Sequence, residues 1–347
     1  MKIGFFIDTY LPRKDGATYT VRTWKSKMEE RGHEVHVFYP ESEEYEPDEH
    51  EHPVRSIRNT FYYGHYLPLP SRIDIPDLDV FHTHSPWFIG FYGLYASWRQ
   101  NKPSVFTLHT PLEFYIQEVQ GPRAIKGIFE KIYVKLEELL LNRFDAVTVN
   151  SYRVERDTRS EFIPVGIDTD FFYEQDFKPD FEFERPVIGR SGRVSEEKNI
   201  DELVDFAENF EGTVVIVGEG RARDELEKDA PENVIFRDFL DRDRLPGFLS
   251  WLDVFVTCSQ HDTLNLTHLE ASACGTPVVA PEILPFSDTV TDKNGMLYQS
   301  GDLDDLGKKI DAVLKRDFTP RERAVDYSVK ESVKKLEQLY GELDAER

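Results

Sequence analysis

Two carboxylates and two cations, set far apart in the chain, are the side chains best suited to act together on one ligand. Asp262 and Glu270 lie in the stretch TCSQHDTLNLTHLEASACGTPVVA, residues 257–280. The apolar strand Val254 to Thr257 runs into a polar loop. Leu266, Leu269, Ala273 and Cys274 then recur at helical spacing until Gly275 and Pro277 stop the helix. Strand, loop and helix in that order build a crevice at the carboxyl edge of a sheet, where a helix start offers unpaired N–H groups to an anion. Asp262 in the loop and Glu270 on the second turn can reach one polyhydroxylated ligand whose phosphate meets the helix start at Asn265, Leu266 and Thr267. That combination points to a sugar nucleotide.

The cations are Arg193 and Lys198 in GRSGRVSEEKN, residues 189–199, just beyond a strand starting at Val187. Two cations at a strand exit can neutralise a diphosphate where water is limited, doing by side chains what a divalent ion does elsewhere. The competing reading is a pair of surface charges matched by Glu196 and Glu197, but the nearby glycines permit close backbone approach to a ligand. GEG at Gly218 to Gly220 serves equally well as a plain strand-to-helix turn. In PRKDGATYT, residues 12–20, Gly16 lets the loop pass close to a ligand, although the spacing is neither that of a P-loop nor of a dinucleotide fingerprint.

His109 in VFTLHTP follows an apolar strand, and His82 and His84 in FHTHSP do the same one strand earlier. A metal held by the HxH pair lacks a third ligand at suitable spacing, so hydrogen bonding to a polar ligand is the expected role. Asp168 and Asp170, after IPVGI, read as a turn rather than a metal pair.

The elements that must position these residues alternate from the start. Ile3 to Ile7 reads as a strand, Thr18 to Arg31 as a helix with Val21, Trp24 and Met28 on one face, and Glu34 to Phe38 as the next strand. The pattern recurs through Val80 and Phe81, the aromatic helix after Trp87, Val105 to Leu108, an amphipathic helix around Ile125 to Asn142, and Ala146 to Val149. Alternation of this kind calls for a parallel sheet covered on both faces. It breaks at Asp170 to Pro186, DFFYEQDFKPDFEFERP, and a second cycle starts at Val187, so 347 residues hold two doubly wound units. A last amphipathic segment, Val329 to Leu343, carries Val333, Leu336, Leu339 and Tyr340 on one face and is expected to cross back to the first unit.

A net charge of −23 opposes nucleic-acid binding, which needs a basic face. The densest acidic run, ESEEYEPDEHE at Glu41 to Glu51, reads as a solvated loop. Cys258 and Cys274 are too few for a disulfide framework and read as small hydrophobes. Apolar runs such as PWFIGFYGLYASW are too short and interrupted to cross a bilayer, and MKIGFFIDTY reads as a buried strand rather than a secretory signal, so a cytoplasmic protein is expected.

In this order, FFIDTYLPRKDGAT, HTHSP, TLHTP, IPVGIDTDFF, GRVSEEKN and LEASACGTPVV resemble the family-4 retaining glycosyltransferases of GT-B architecture (glycosyl transferases group 1) over essentially the whole chain. The resemblance implies two Rossmann-like doubly wound α/β domains facing across a cleft, with the acceptor on the first and the nucleotide sugar on the second. It places them at residues 1–168 and 186–325, with a linker at 169–185 and a returning helix at 326–347. It implies that Arg193 and Lys198 hold the donor diphosphate, that Glu270 binds the ribose, and that Asp262 contacts hydroxyls of the transferred sugar. His109 would line the sugar site, and Gly16 would lie near the donor phosphate and acceptor. It further implies hexose transfer from a UDP- or GDP-sugar, without a metal cofactor, to a lipid or glycan acceptor. Departures are Asp262 for the usual glutamate, Asn265 for a glycine, Asp15 beside Gly16 for paired glycines, and PEILPFSD for a frequent double glycine; they bear on donor specificity. The mixed charges of Ala124 to Phe144 suit core packing, while HTPLEFY and YYGHYLPLP are similar to lipid-acceptor members and keep peripheral contact with the inner membrane face open. A sugar-nucleotide epimerase of the same architecture and a non-catalytic sugar-nucleotide-binding protein are the alternative readings.

Overall fold

The computed structural model describes residues 1–13, 15–58, 66–69, 73–109, 134–150, 160–260, 262 and 264–347. By its own packing the chain divides into two units, Met1–Val165 with Ser332–Arg347, and Gly166–Glu331.

The first unit runs β1 (Lys2–Phe6), α1 (Gly16–Glu30), β2 (Glu34–Pro40), β3 (Glu51–Val54), β4 (Ser56–Arg58), β5 (Tyr66–Pro68), β6 (Val80–Thr83), α2 (Phe88–Gln100), β7 (Ser104–Leu108), β8 (Ala146–Val149) and β9 (Ser160–Phe162). Seven strands form one sheet in the order β3-β2-β1-β6-β7-β8-β9, with every pairing parallel, and β4 and β5 form a separate antiparallel pair. The apolar run of β1 and the fully buried β6 and β7 are what a parallel strand covered on both faces requires. Phe6 stacks on Phe38 at 4.6 Å and on Phe81 at 5.7 Å between ring centres, tying β1 to both its neighbours. Helix α1 buries Val21, Trp24 and Met28 as their spacing predicts, and Asp15 starts it by accepting from the Thr18 N–H at 2.8 Å. Of the helix expected around Ile125 to Asn142, residues 125–133 lie outside the described residues and 134–141 are helical. The segments HTPLEFY and YYGHYLPLP lie largely outside them as well.

The second unit runs β10 (Val187–Ser191), α3 (Ile200–Ala207), β11 (Thr213–Val217), α4 (Arg223–Asp229), β12 (Val234–Arg237), α5 (Leu245–Trp251), β13 (Val254–Val256), α6 (Leu266–Ala273), β14 (Val278–Pro281), α7 (Phe286–Thr289), β15 (Gly295–Tyr298), α8 (Leu303–Leu314) and α9 (Pro320–Val325). Its six parallel strands follow the order β12-β11-β10-β13-β14-β15, the Rossmann arrangement. The aperiodic stretch Asp170 to Pro186 packs on this unit: Phe177, Phe181 and Phe183 set their rings around Trp251, and Phe172 is buried. Asp168 accepts from the Asp170 N–H at 3.0 Å, the turn expected of DTD.

The last helix, α10 (Val329–Ala345), buries Val333, Leu336, Leu339 and Tyr340, and from Ser332 onward the chain groups with the first unit. Glu337 accepts a two-pronged bond from Arg31 at 2.7 and 2.6 Å and pairs with His33, while the Tyr340 hydroxyl meets buried His82 Nδ1. The chain end therefore returns to the sheet that its beginning started.

One expectation is corrected. The acidic run Glu41 to Glu51 is solvated for most of its length, but Glu51 opens β3 and is buried, accepting from the Tyr10 and Tyr45 hydroxyls at 2.7 and 2.8 Å. Two phenol donors compensate the desolvation of that carboxylate.

Replacing Tyr340 by Phe keeps the ring and removes the hydroxyl, leaving His82 Nδ1 buried without its partner. Denaturant unfolding should show a loss of about 1–3 kcal/mol with an unchanged m-value.

Candidate active site

In the second unit the strand order reverses between β10 and β13, so connections leaving their carboxyl ends diverge and open a crevice. The loop after β10 carries Arg193 and Lys198, and the loop after β13 carries Asp262 and Asn265, one on each side of the reversal. The first loop is seated by backbone. Gly218 and Gly220 have φ of +147° and +158°, and a Cβ on either would come within 1.9 Å of the Gly192 or Val194 carbonyl oxygen. Gly192 N–H donates to Val217 O at 3.0 Å and Val194 N–H to Glu219 O at 2.8 Å. The GEG motif is thus the seat of the cation loop.

Across the crevice, Lys198 Nζ reaches Asp262 Oδ2 at 2.7 Å, and the Ser259 hydroxyl donates to the same oxygen at 3.0 Å. Both ion-pair side chains are largely buried, at 20% and 12% exposure. Arg193 differs: its side chain is 72% exposed and only 3.9 Å from Glu197, so the surface pairing with glutamate exists but contributes little.

The spacing pattern singles out Arg193 and Lys198 and leaves Arg190 inside β10. Arg190 is buried, and its Nε and Nη1 have no hydrogen-bond partner among the described residues. Burial brings its guanidinium down to about 10, opposed by Cys258, Asp262 and Glu197, so it stays charged at neutral pH. An unsatisfied buried guanidinium is costly, and an anion in the crevice would satisfy it. The signal was an arginine in the otherwise small and apolar strand VIGRS.

Asn265 leads into α6 with φ +53° and ψ +80°, a left-handed conformation that asparagine tolerates better than most residues. The departure from glycine therefore preserves the backbone path. Among the described residues no side chain caps α6, whose first residues are Leu266 and Thr267. On its second turn, half-buried Glu270 has its carboxyl pushed up to about 7 by burial, against the pull of Arg242. Arg242, which spacing does not single out, lies over the Phe171 ring at 4.9 Å. Cys258 and Cys274 are buried, their thiols pushed up to about 12, as apolar fillers would be.

In the first unit the corresponding reversal falls between β1 and β6. Gly16 is the first residue of α1, and a Cβ there would meet nothing within 4 Å. Asp8, just beyond β1, accepts from the Ile89 and Gly90 N–H groups at 3.0 and 3.3 Å, holding the start of α2; burial outweighs these bonds and raises it to about 6. His82 and His84 stack at 4.3 Å, and His84 Nδ1 meets His109 Nε2 at 3.1 Å. His82 Nε2 also meets the Thr107 hydroxyl at 2.6 Å. Burial drives His82 and His84 well below the usual imidazole range and His109 to about 4, so all three are neutral at physiological pH. Half-buried His109 can offer a sugar hydroxyl a hydrogen bond but not a charge.

Two doubly wound parallel units, one with opposed cations and carboxylates at its reversal point, define a glycosyltransferase of GT-B architecture. The model of Glycosyltransferase Family 4 matches residues 14–171, and that of Glycosyl transferases group 1 matches residues 172–331. The chain belongs to the family 4 glycosyltransferases. It is 26% identical to an alpha-monoglucosyldiacylglycerol synthase of Streptococcus pneumoniae, over 99% of this chain and 86% of the relative. It is 26% identical to a GDP-mannose-dependent alpha-mannosyltransferase of Mycolicibacterium smegmatis, over 81% and 80%. Among solved structures, sucrose-phosphate synthase from Thermosynechococcus elongatus aligns over 100% of both chains with a TM-score of 0.71 at 19% identity. The Anabaena HepE protein, solved with UDP and glucose, aligns over 99% of this chain and 100% of its own with a TM-score of 0.66 at 17% identity.

Because the Glu270 carboxyl lies at about 7 in the fold against an ordinary 4.5, the native state holds its proton more tightly than the unfolded chain does. The associated stability is complete below the ordinary value and is lost as pH rises through about 7. Glu270→Gln cannot ionise and escapes that loss. Melting curves from about pH 5 to about pH 8 should show the variant gaining on the parent with rising pH.

Proposed function

We propose that this chain transfers a hexose from a uridine or guanosine diphosphate sugar, with retention at the anomeric carbon, to a lipid-borne hydroxyl. The observation that carries the reading is the positive cluster at the reversal point of the second unit: Lys198 held on Asp262, Arg193 exposed beside them, and Arg190 buried with its Nε and Nη1 unpaired among the described residues. As the glycosidic bond breaks, charge grows on the departing diphosphate. Arg193, Lys198 and the uncapped start of α6 at Asn265, Leu266 and Thr267 stabilise it more in the transition state than in the ground state. With cations supplied by the chain itself, the reaction needs no metal cofactor. Glu270 takes the ribose hydroxyls, Asp262 the hydroxyls of the hexose, and His109 and Gly16 serve the sugar and acceptor. The acceptor hydroxyl attacks from the face the diphosphate leaves, since no side chain is an evident covalent nucleophile.

Two observations support a lipid acceptor. Relatives from two bacteria are named alpha-monoglucosyldiacylglycerol synthase. Helix α2 exposes Phe88, Phe91, Tyr95 and Trp98 at helical spacing, with Trp87 before them, and Trp98 is 80% exposed. Aromatic rings so arrayed suit the headgroup region of a bilayer, whereas a net charge of −23 gives no attraction to anionic lipid. None of the described helices is long and apolar enough to cross a membrane. The contact proposed is peripheral.

The test is incubation with UDP- and GDP-hexoses and diacylglycerol or glycosyldiacylglycerol in vesicles, with the product anomer read by NMR. An α-linked product from an α-linked donor, formed equally with and without EDTA, is expected. Donor converted to another sugar nucleotide without acceptor would indicate an epimerase, and binding without consumption a non-catalytic protein. Arg193→Ala should lower kcat by about 100-fold or more, and near-parent turnover would remove it from the mechanism.

A further inference from the structure

The acidic run that ends at β3 leads into a cluster that the transferase reading does not use. β2 and β3 pair in parallel, with Val37 opposite Glu51 and Phe38 opposite His52. Alternation along a strand puts Glu34 and His36 on one face of β2, with His52 of β3 and His50, the residue just before β3, beside them. His36 Nε2 lies 2.8 Å from Glu34 Oε1, and His36 Nδ1 lies 2.8 Å from His52 Nε2. The His50 and His36 rings are 4.8 Å apart. One ligand atom from each of Glu34, His36 and His50 lies within 4.8 Å of the others. Glu34 also meets Lys2 at 3.2 Å, and His36 is buried.

Two imidazoles and a carboxylate form a donor set suited to a borderline divalent transition ion, zinc foremost. Rotation of exposed or half-buried side chains closes the trio to the ligand separation of about 3.4 Å that a tetrahedral ion with bonds of 2.0–2.1 Å requires. The buried member has its second ring nitrogen engaged by His52, as metal-bound histidines usually do. His50 holds its backbone at φ +63°, and its carbonyl accepts from the Val37 N–H at 3.0 Å, which fixes its ring beside β2. A cavity of about 440 Å³ opens beside the trio, lined by Glu29, Asp48 and Glu49 among others, and leaves room for a water as fourth ligand. Lys25 lines the same cavity and is paired with Glu29 at 3.0 Å, so Asp48 and Glu49 are the lining carboxylates that favour an added cation.

Glu34 and Glu51 stand at the amino ends of β2 and β3, so the cluster lies at the edge of the sheet opposite the carboxyl ends that carry His109. The geometry points to a divalent transition-metal site at Glu34, His36 and His50, structural in role and separate from the transfer chemistry. Binding through His36 Nε2 leaves the ring's single proton on Nδ1, where it is donated to His52 Nε2, and the Glu34 carboxylate turns from that ring nitrogen to the ion.

The test is Zn2+ titration of the untagged, EDTA-stripped full chain by calorimetry in two buffers of different ionisation enthalpy. One ion per chain in both buffers and a rise in Tm are expected. Glu34→Gln and His50→Asn, the second chosen because asparagine accepts positive φ, should each weaken binding by at least about 10-fold and abolish the Tm rise. Co2+ should give the visible absorption of a four-coordinate ion. Absence of stoichiometric binding, or equal binding by both variants, would overturn the assignment. Transfer rates at about 25 °C should be the same with and without zinc; a transfer reaction that fails in both states would count against the proposed function and leave this site standing.

Discussion

Backbone pressed against backbone at the carboxyl ends of β10 and β11 is the constraint on which the crevice of the second unit rests. Gly218 and Gly220 have no side chain because the Gly192 and Val194 carbonyls occupy the space a Cβ would need. The loop between them is therefore fixed by the sheet rather than by a ligand. Arg190 at the end of β10, Arg193 in the loop and Lys198 at its far end are all placed relative to that seat. Under the proposed function, charges placed by the fold do not have to be gathered when a diphosphate departs, and that saving in reorganisation is the main source of electrostatic catalysis. In a chain whose net charge is −23, a cluster of this sign persists because Arg190 and Lys198 are held in the fold, with Arg193 exposed on the loop between them.

Alternation of apolar runs with amphipathic segments made both doubly wound units legible, because a parallel strand must be apolar and its covering helix must show one apolar face. Val333, Leu336, Leu339 and Tyr340 announced the returning helix for the same reason. The seats of the functional side chains were less visible. That Asp15 is a helix cap, and that GEG serves another loop, depends on which backbone lies nearby, and spacing does not encode that. Arg190 was hidden because it sits within a strand, where its type is unexpected, and because Cys258 and Asp262, whose charges act on it, are far away in sequence. The acidic run ending in EHE looked like a solvated loop because charge density dominated the reading, whereas the pairing of β2 with β3 draws its last residue into the interior. The aromatic break at Asp170 to Pro186 had no period to read, since its rings follow the outline of Trp251 and not a repeat of their own.

The two units handle charge in opposite ways, and the difference follows from what each side chain was given when it was buried. Around β6 and β7 the histidines are packed against Trp24, Phe5 and one another with little opposite charge in reach, so desolvation strips their protons and leaves neutral hydrogen-bonding groups. Around β10 and β13 the buried Arg190 feels the charges of Asp262 and Glu197 and keeps its own, while Lys198 is paired with Asp262. Lys198 and Asp262 illustrate the consequence. Their desolvation is already met within the pair, so under the proposed function a donor diphosphate need only exchange one anionic partner of Lys198 for another, and the carboxylate it leaves becomes available to the sugar hydroxyls. Asp262 is one methylene shorter than the glutamate usual there, yet it closes at 2.7 Å on Lys198 with Ser259 donating to the same oxygen. The shorter side chain thus keeps the ion pair and holds the carboxylate back toward its own loop, which under the proposed function alters the sugar hydroxyls within its reach while leaving Arg190, Arg193 and Lys198 where they are.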